Sequence, residues 1–444
     1  MSNQKLKVLL IIEQCNPEAA SVPLVGYKFF QAISKLADVT LVTHERGREA
    51  LEKVKQRDNI TYIAESELTK KYFATVVNLA IKGKNNWPLA NVLGYPVYAE
   101  FDSIVYETFK DRILRGDYDL VHSLTPMQPR FPVKAIKACR HTPFLLGPVN
   151  GGVPFPAGFE EIARKEYAYL NFLRAVGRAL IPGYVATYKK ADKILVGSTY
   201  TLNMLKDMFA IPARRIQLFY ENGIASSFLT ETKKIKKGSR INLLFVGRLV
   251  PYKCADILIE AVSRLEPTVR DKVVVTIVGD GQERNSLETQ VRELNLGEKV
   301  KFAGWVGQEE TVEYYRNADI FCFPSIREFG GAVVMEAMAC GLPCIVPNNG
   351  GIGEYVTEET GFKIEPNSRE YLTQEFSNKI KMLVEDDKLR ESMSAKSIEK
   401  AREFEWDRKA QKIVEIYENT IAEKKASQSK STQIQFKENQ AWEL

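Results

Sequence analysis

Short apolar runs alternate with segments of helical periodicity along most of this chain. Lys7–Ile12 reads as a buried strand, Glu13–Val25 as a long loop, Gly26–Ala37 as a helix with apolar positions one turn apart, and Val39–Thr43 as a second strand. Similar strands are predicted at Leu120–Leu124, Phe144–Leu146 and Ile194–Val196. A charged stretch, LTETKKIKKGSR over residues 229–240, offers no face that could enter a core and reads as a linker. The alternation then restarts, with strands at Asn242–Val246, Val273–Val278, Val300–Phe302, Ile320–Phe323 and Cys344–Val346, and helices such as Ala255–Arg264 and Arg284–Leu294 between them. Strand–helix alternation at this spacing predicts an α/β fold with a doubly wound parallel sheet in each half.

The domains expected are therefore 1–228, a linker 229–240, and 241–403. Trp406, Ile413, Ile416 and Tyr417 lie at helical spacing, so 404–422 should be a helix packing back on the N-terminal domain. The polar residues 423–444 are expected to be a disordered tail. No Gly-x-Gly-x-x-Gly follows the first strand, so a dinucleotide fingerprint is absent there.

Composition narrows the function classes. With 45% hydrophobic and 27% charged residues, the chain has the balance of a soluble globular protein, which excludes collagen, a mucin stalk and a wholly disordered polymer. The uncharged run Phe73–Ile81 is far short of the roughly twenty residues of a spanning helix. The opening apolar run meets Glu13 too soon for a secretory signal, so a cytoplasmic location is expected. Six scattered cysteines form no CxxC pair and read as buried small hydrophobes in a reducing compartment. The three histidines show no metal-ligand spacing, so no metal and no cofactor are expected. A net charge of +6 suits an anionic small molecule or a lipid surface and, with no nucleic-acid motif, does not call for DNA or RNA.

The chemistry concentrates in one stretch, Glu328-Phe-Gly-Gly-Ala-Val-Val-Met-Glu336, followed by Ala-Met-Ala-Cys-Gly-Leu-Pro. Gly341 marks a helix end, so the helix runs from about Gly331 to Cys340 and is apolar almost all round. A carboxylate such as Glu336 inside it is costly unless a ligand hydroxyl or a cation meets it. Glu328 precedes the helix beside the free amides of Gly330, Gly331 and Ala332, an anion site that glycines leave open to a ligand. Hydroxyls at both ends and a diphosphate between describe a sugar nucleotide. A surface glutamate and a salt-bridged buried one are the plain alternative.

Two carboxylates separated by seven residues and followed by EAMACGLP resemble the retaining glycosyltransferases of family 4, the group of glycogen and sucrose-phosphate synthases. The resemblance extends over the second half of the chain. Phe245-Val-Gly247-Arg248-Leu with Lys253 resembles the family's diphosphate clamp, although Cys254-Ala255 stands where a glycine is usual. Val278-Gly279-Asp-Gly281 and Phe302-Ala-Gly-Trp305-Val match its nucleotide-side strands, and Pro324-Ser325 and Asn349-Gly-Gly351 through Glu354 match its flanks. The resemblance implies a GT-B fold, two Rossmann-like domains facing a cleft, with the nucleotide sugar in the C-terminal domain and the acceptor in the N-terminal one. It also implies catalytic roles for Arg248, Lys253, Glu328 and His122, the last ending the strand Asp119-Leu-Val-His-Ser. Nucleotide contacts would then come from Gly247, Gly279, Gly281, Trp305, Gly330, Gly331, Ala332 and Glu336. Asn150 and Gly151 in the loop after Phe144–Leu146 are candidate acceptor contacts. Ser21 stands in the first loop, where the family commonly has Gly-Gly.

Independently of family, Arg248 and Lys253 follow a strand's carboxyl end, where open α/β sheets bind ligands, and two fixed cations would neutralise charge on a departing diphosphate. The function expected is thus transfer of a hexosyl group, with retention, from a nucleoside-diphosphate sugar (UDP favoured, GDP open) to a hydroxyl of a glycan or lipid-linked acceptor in polysaccharide or glycolipid synthesis. A sugar-nucleotide epimerase and a silent nucleotide-sugar-binding subunit are the alternatives. Arg164–Lys190 alternates apolar residues with Arg174, Arg178, Lys189 and Lys190, a pattern that fits peripheral contact with the cytoplasmic membrane face through the N-terminal domain. Base, sugar, acceptor, linkage and oligomeric state stay open.

Overall fold

The computed structural model describes residues 5–54, 59–82, 86–230 and 240–441. Its N-terminal half carries seven parallel strands: β1 (Lys7–Ile11), β2 (Asp38–His44), β3 (Asn59–Ile63), β4 (Leu120–Ser123), β5 (Phe144–Val149), β6 (Lys193–Val196) and β7 (Ile216–Leu218), in the order β3-β2-β1-β4-β5-β6-β7. The C-terminal half carries six, β8 (Ile241–Val246), β9 (Val273–Val278), β10 (Val300–Gly304), β11 (Ile320–Cys322), β12 (Cys344–Pro347) and β13 (Gly361–Ile364), in the order β10-β9-β8-β11-β12-β13. The expected pair of parallel, Rossmann-like sheets is what the chain forms.

The apolar runs are continuous because both faces of each sheet are covered. In β1, Leu9 and Ile11 pack with Phe101, Phe109 and Tyr188 on one face, while Val8 and Leu10 pack with Phe29, Phe30 and Tyr417 on the other. The edge strands β3, β7 and β13 do not stand out in the sequence pattern. β3 and β7 are only partly buried and β7 spans three residues, so they lack a long apolar run.

Strand order reverses beside β1 in the first sheet and beside β8 in the second. Open α/β sheets bind ligands at the carboxyl ends of the strands flanking such a reversal. The two places to look are the loops after β1 and β4, and those after β8 and β11.

Of the linker expected at 229–240, residues 231–239 lie outside the described residues. Leu229 packs on the C-terminal core and the Thr230 amide donates to the Ala339 carbonyl at 3.1 Å. The final helix, Trp406–Ala441, lies along the N-terminal domain: Lys35 Nζ is 2.5 Å from Asp407, and Lys424 Nζ is 2.9 Å from Asp192. The helix continues past Glu423, where the polar composition suggests disorder. The segment contains no glycine or proline and is rich in lysine, glutamine and glutamate, so helix propensity and the Lys424–Asp192 pair extend it. Among the described residues no helix is long and apolar enough to cross a membrane.

Candidate active site

The loops after β8 and β9 are laced together by main-chain bonds. Gly247 N–H donates to Val278 O and Leu249 N–H to Asp280 O, both at 2.9 Å. Gly279 has φ +134°, and a Cβ there would stand 1.9 Å from the Gly247 carbonyl oxygen, so no other residue fits without moving the backbone. A Cβ on Gly281 would meet Leu249 O at 2.3 Å. These glycines thus hold one loop against the other. Gly304, at the end of β10, accepts from Gly279 N–H at 2.7 Å. That contact sets Trp305 on the rim beside both loops, 80% exposed and therefore not a core residue.

Lys253 ends the turn after β8 and forms a short ion pair with Glu328 Oε1, both side chains nearly buried. Ser325 Oγ donates to the same oxygen at 2.7 Å, and the ammonium lies 4.8 Å from the centre of the Phe323 ring. Charge, hydroxyl and ring together fix where Glu328 points. Arg248 is exposed and donates to the Tyr252 hydroxyl at 2.8 Å, so its guanidinium hangs over the same loop with little to restrain it.

The buried helix spans Ala332–Ala339, capped by Gly331 at φ +52°, with no side chain bonded to the cap. Gly330, Gly331 and Ala332 open this helix at its positive end, next to the Lys253–Glu328 pair: a Cβ on Gly331 would lie 3.8 Å from Glu328 Cγ. The glycines do more than admit a ligand. A Cβ on Gly330 would lie 2.3 Å from both Asn222 and Glu221, and one on Gly331 would lie 2.2 Å from Ile352. Protein, too, requires the absent side chains. One turn along, Glu336 Oε2 accepts from the buried Tyr315 hydroxyl at 2.9 Å, a partner the sequence pattern does not reveal.

Expectations for the N-terminal domain fare differently. His122 does not face the cleft. It is fully buried, with Nδ1 2.6 Å from the Tyr417 hydroxyl and Nε2 2.5 Å from Gly147 O. Burial pushes its pKa down to about 4, so the ring stays neutral near pH 7. The reason is strand parity: His122 pairs in register with Leu10, on the face covered by the final helix. Asn150 is also buried, but at the seam between domains. Its amide donates to Glu221 at 2.8 Å and to the Phe329 carbonyl at 2.9 Å, and its oxygen accepts from Ser198 at 2.8 Å. Asn150 therefore ties the N-terminal domain to the loop carrying Glu328. Gly151 follows it and lines a cavity on the N-terminal side. Ser21 is exposed, caps the helix Val22–Ser34 and takes φ +64°, ψ −137°. No hydrogen bond or ion pair among the described residues joins it to the C-terminal domain.

Several groups went unforeseen. Glu221 and Asn222 press against Gly330 from the N-terminal side, and burial raises the Glu221 carboxyl to about 7. They follow β7, and a three-residue strand gives too faint a signal to mark them as strand-end residues. Arg327, adjacent to Glu328, donates from Nε to Val153 O at 2.9 Å and stacks 4.6 Å from the centre of Phe155. Asn349 reaches Pro154 O at 3.2 Å, and Glu354 accepts from the Thr199 amide at 2.7 Å. The cleft is thus closed along one side by contacts of the 326–330 and 349–354 loops with the N-terminal domain. Among the described residues no cluster of three or more potential ligands could hold a metal ion.

Residues 228–400 match the family model of glycosyl transferases group 1. The D-inositol 3-phosphate glycosyltransferase of Kribbella flavida is 30% identical over 185 residues, 40% of this chain and 43% of that protein, so the chain spans less than half the length of this curated relative. HepE from Anabaena, crystallised with UDP, superposes with a TM-score of 0.61 at 16% identity over 93% of this chain and all of that one. Sucrose-phosphate synthase from Thermosynechococcus elongatus gives 0.60 at 18% identity over 94% and 100%. At these identities the structures speak to fold, and the fold is GT-B. Residues 228–400 thus match glycosyl transferases group 1, and the chain as a whole has the GT-B fold.

Proposed function

We propose that this protein transfers a hexosyl group from a UDP-sugar to a hydroxyl acceptor with retention at the anomeric carbon. The observation that carries the reading is the Lys253–Glu328 pair set at the strand reversal beside β8, next to the start of the buried helix at Gly331. One cation and a helix start suit a diphosphate, and the adjacent carboxylate suits sugar hydroxyls. Trp305 supplies a flat face on the rim for a base, and Glu336 a carboxylate for ribose hydroxyls. HepE, of similar fold, has been crystallised with UDP-glucose, which favours UDP over GDP.

In the reaction the bond from the anomeric carbon to the β-phosphate oxygen breaks, and the acceptor oxygen bonds to that carbon on the same face. The acceptor proton passes to the departing phosphate oxygen. Lys253, Arg248 and the amides hold the growing negative charge, which is where fixed donors act most strongly. His122 takes no part, being sealed between Tyr417 and Gly147. Incubation with a panel of nucleotide sugars, with and without acceptor extracts, tests the proposal: UDP release coupled to an α-linked product from an α-linked donor is expected, and a β-linked product or an isomerised nucleotide sugar would overturn it.

A further inference from the structure

Against the loops after β4 and β5, on the N-terminal side of the cleft, lies a cavity of about 360 Å³. Arg130, Arg174 and Arg178 line it, together with Gly151, Tyr184 and Met204. Arg327 approaches from the C-terminal domain through its bond to Val153 O, another residue of the cavity wall. Arg130, Arg174 and Arg178 form no side-chain hydrogen bond or ion pair among the described residues. Arg327 donates to a main-chain carbonyl and stacks on Phe155 and Phe329, with Glu166 and Glu328 acting on it from farther off. The guanidinium groups work against one another. Burial, then the charges of Arg174 and Arg327, push the Arg130 pKa down to about 9, and burial with Arg174 lowers that of Arg327 to about 10.

Like charges gathered in a concave, partly buried place, three of them with no ion pair among the described residues, are costly in an unliganded protein, and such sites serve anions. We propose that this cavity binds a phosphoryl group of the acceptor. The inference rests on the reading of the protein as a glycosyltransferase and names the chemistry of its acceptor. A phosphoryl group brings about two negative charges and three acceptor oxygens at neutral pH, whereas a carboxylate brings one charge and would leave most of the arginines uncompensated. Guanidinium forks match phosphate oxygens in pairs, which explains arginine rather than lysine at all four positions. The position also serves the chemistry: Gly151 adjoins Asn150, which touches the Glu328 loop, so a phosphoryl group in the cavity leaves a neighbouring hydroxyl within the cleft. Phe172 and Leu180, 60% and 73% exposed, flank the arginines on the same segment, so the phosphoryl group could belong to a soluble acceptor or to a lipid.

The test uses the full chain saturated with UDP, titrated with inorganic phosphate and, separately, with phosphatidylcholine vesicles carrying phosphatidic acid. Binding of phosphate that weakens by roughly tenfold or more in Arg130→Ala and again in Arg130→Ala/Arg174→Ala is expected, with partial recovery in Arg130→Lys. The same arginine dependence seen only with the vesicles also supports the site and assigns it to a lipid headgroup. Failure of both probes to bind the parent protein, or binding that the substitutions leave intact, would overturn the proposal. UDP titration and thermal melting of each variant report whether it has folded. If UDP does not bind the parent protein while phosphate does so through Arg130, the donor reading falls and the anion site stands.

Discussion

The two domains share an architecture and differ in how they hold their polar groups. At the carboxyl end of β8, Lys253, Ser325 and Glu328 satisfy one another within a single domain, and the amides of Gly330–Ala332 are left for something else. At the corresponding end of β4, His122 is consumed by the fold, and the charges near the cleft come from Arg130, Arg174 and Arg178, spread along the chain and unpaired. The first arrangement is a site prepared in advance. The second is assembled from pieces whose only common property is the space they surround. The difference teaches that a C-terminal site of this kind depends on two compact stretches, the turn ending at Lys253 and the run from Ser325 to Glu336, while its N-terminal counterpart depends on topology throughout.

The largest effect should come from breaking the prepared side. Under the proposed reaction, replacing Lys253 by Ala removes a fixed cation from the leaving diphosphate, and it leaves the nearly buried Glu328 with the Ser325 hydroxyl but no cation. Turnover is expected to fall by roughly 10²–10³-fold, with a smaller change in UDP affinity, because charge grows on the diphosphate only as the bond breaks. Arg248→Ala should follow the same direction more weakly, since its guanidinium is exposed. Steady-state kinetics beside UDP titration checks both, and a rise in KM at constant kcat would place these residues in ground-state binding instead.

A second break separates structure from chemistry on the N-terminal side. The unfolded pKa of histidine is near 6.5, and burial holds His122 and His44 near 4 in the folded protein. Between these values the unfolded chain binds more protons at these two rings than the folded one, so their contribution to stability, present above about pH 6.5, is lost as pH falls toward 4. The buried carboxyls of Glu13, Asp102 and Glu221, raised to about 7, contribute with the opposite sign. In His122→Gln the contribution of that ring should be missing from the slope measured for the parent protein. Denaturant unfolding across this pH range measures it, and an unchanged slope would mean that the buried ring is not the source.

Glu336→Ala should weaken donor binding by about 1.5–3 kcal/mol, the range for a charge-assisted bond, if its carboxylate meets the ribose. The Tyr315 bond sharpens the point. Tyr315→Phe retains the ring and removes the hydroxyl, so loss of UDP affinity in Glu336→Ala but little loss in Tyr315→Phe would assign the carboxylate to the ligand. Equal losses in both would assign it to positioning the helix.

These contrasts also show how much the sequence can reveal. The parallel sheets and their central strands are legible because burial on both faces forces long apolar runs. Edge strands such as β7 are half exposed and short, so their pattern blends into the loops and the Glu221–Asn222 pair after β7 stays hidden. Glu328 and Glu336 are legible because a carboxylate in an apolar helix is conspicuous within one turn or two. His122 is misread because a strand-end position says nothing about which face a side chain takes, and its register with Leu10 turns it toward Tyr417. Of the arginine cavity only Arg174 and Arg178 leave a local mark, as part of an alternating apolar–basic segment, and Arg130 meets them only through the fold.

The smallest expected effect concerns Ser21, in the loop after β1 that faces the cleft from the N-terminal side. Its φ of +64° with ψ of −137° is a backbone conformation that a Cβ makes costly and that glycine takes readily. Ser21→Gly should therefore stabilise the protein by about 1 kcal/mol, less the extra freedom that glycine gives the unfolded chain. Ser21 makes no side-chain cap bond to the helix it precedes, so the substitution removes no hydrogen bond to offset the gain. Thermal unfolding reads the shift directly. A loss of stability would show that the serine hydroxyl has a role the backbone alone does not explain, and tighter UDP binding in the glycine variant would show that the first loop's amides reach the diphosphate after all.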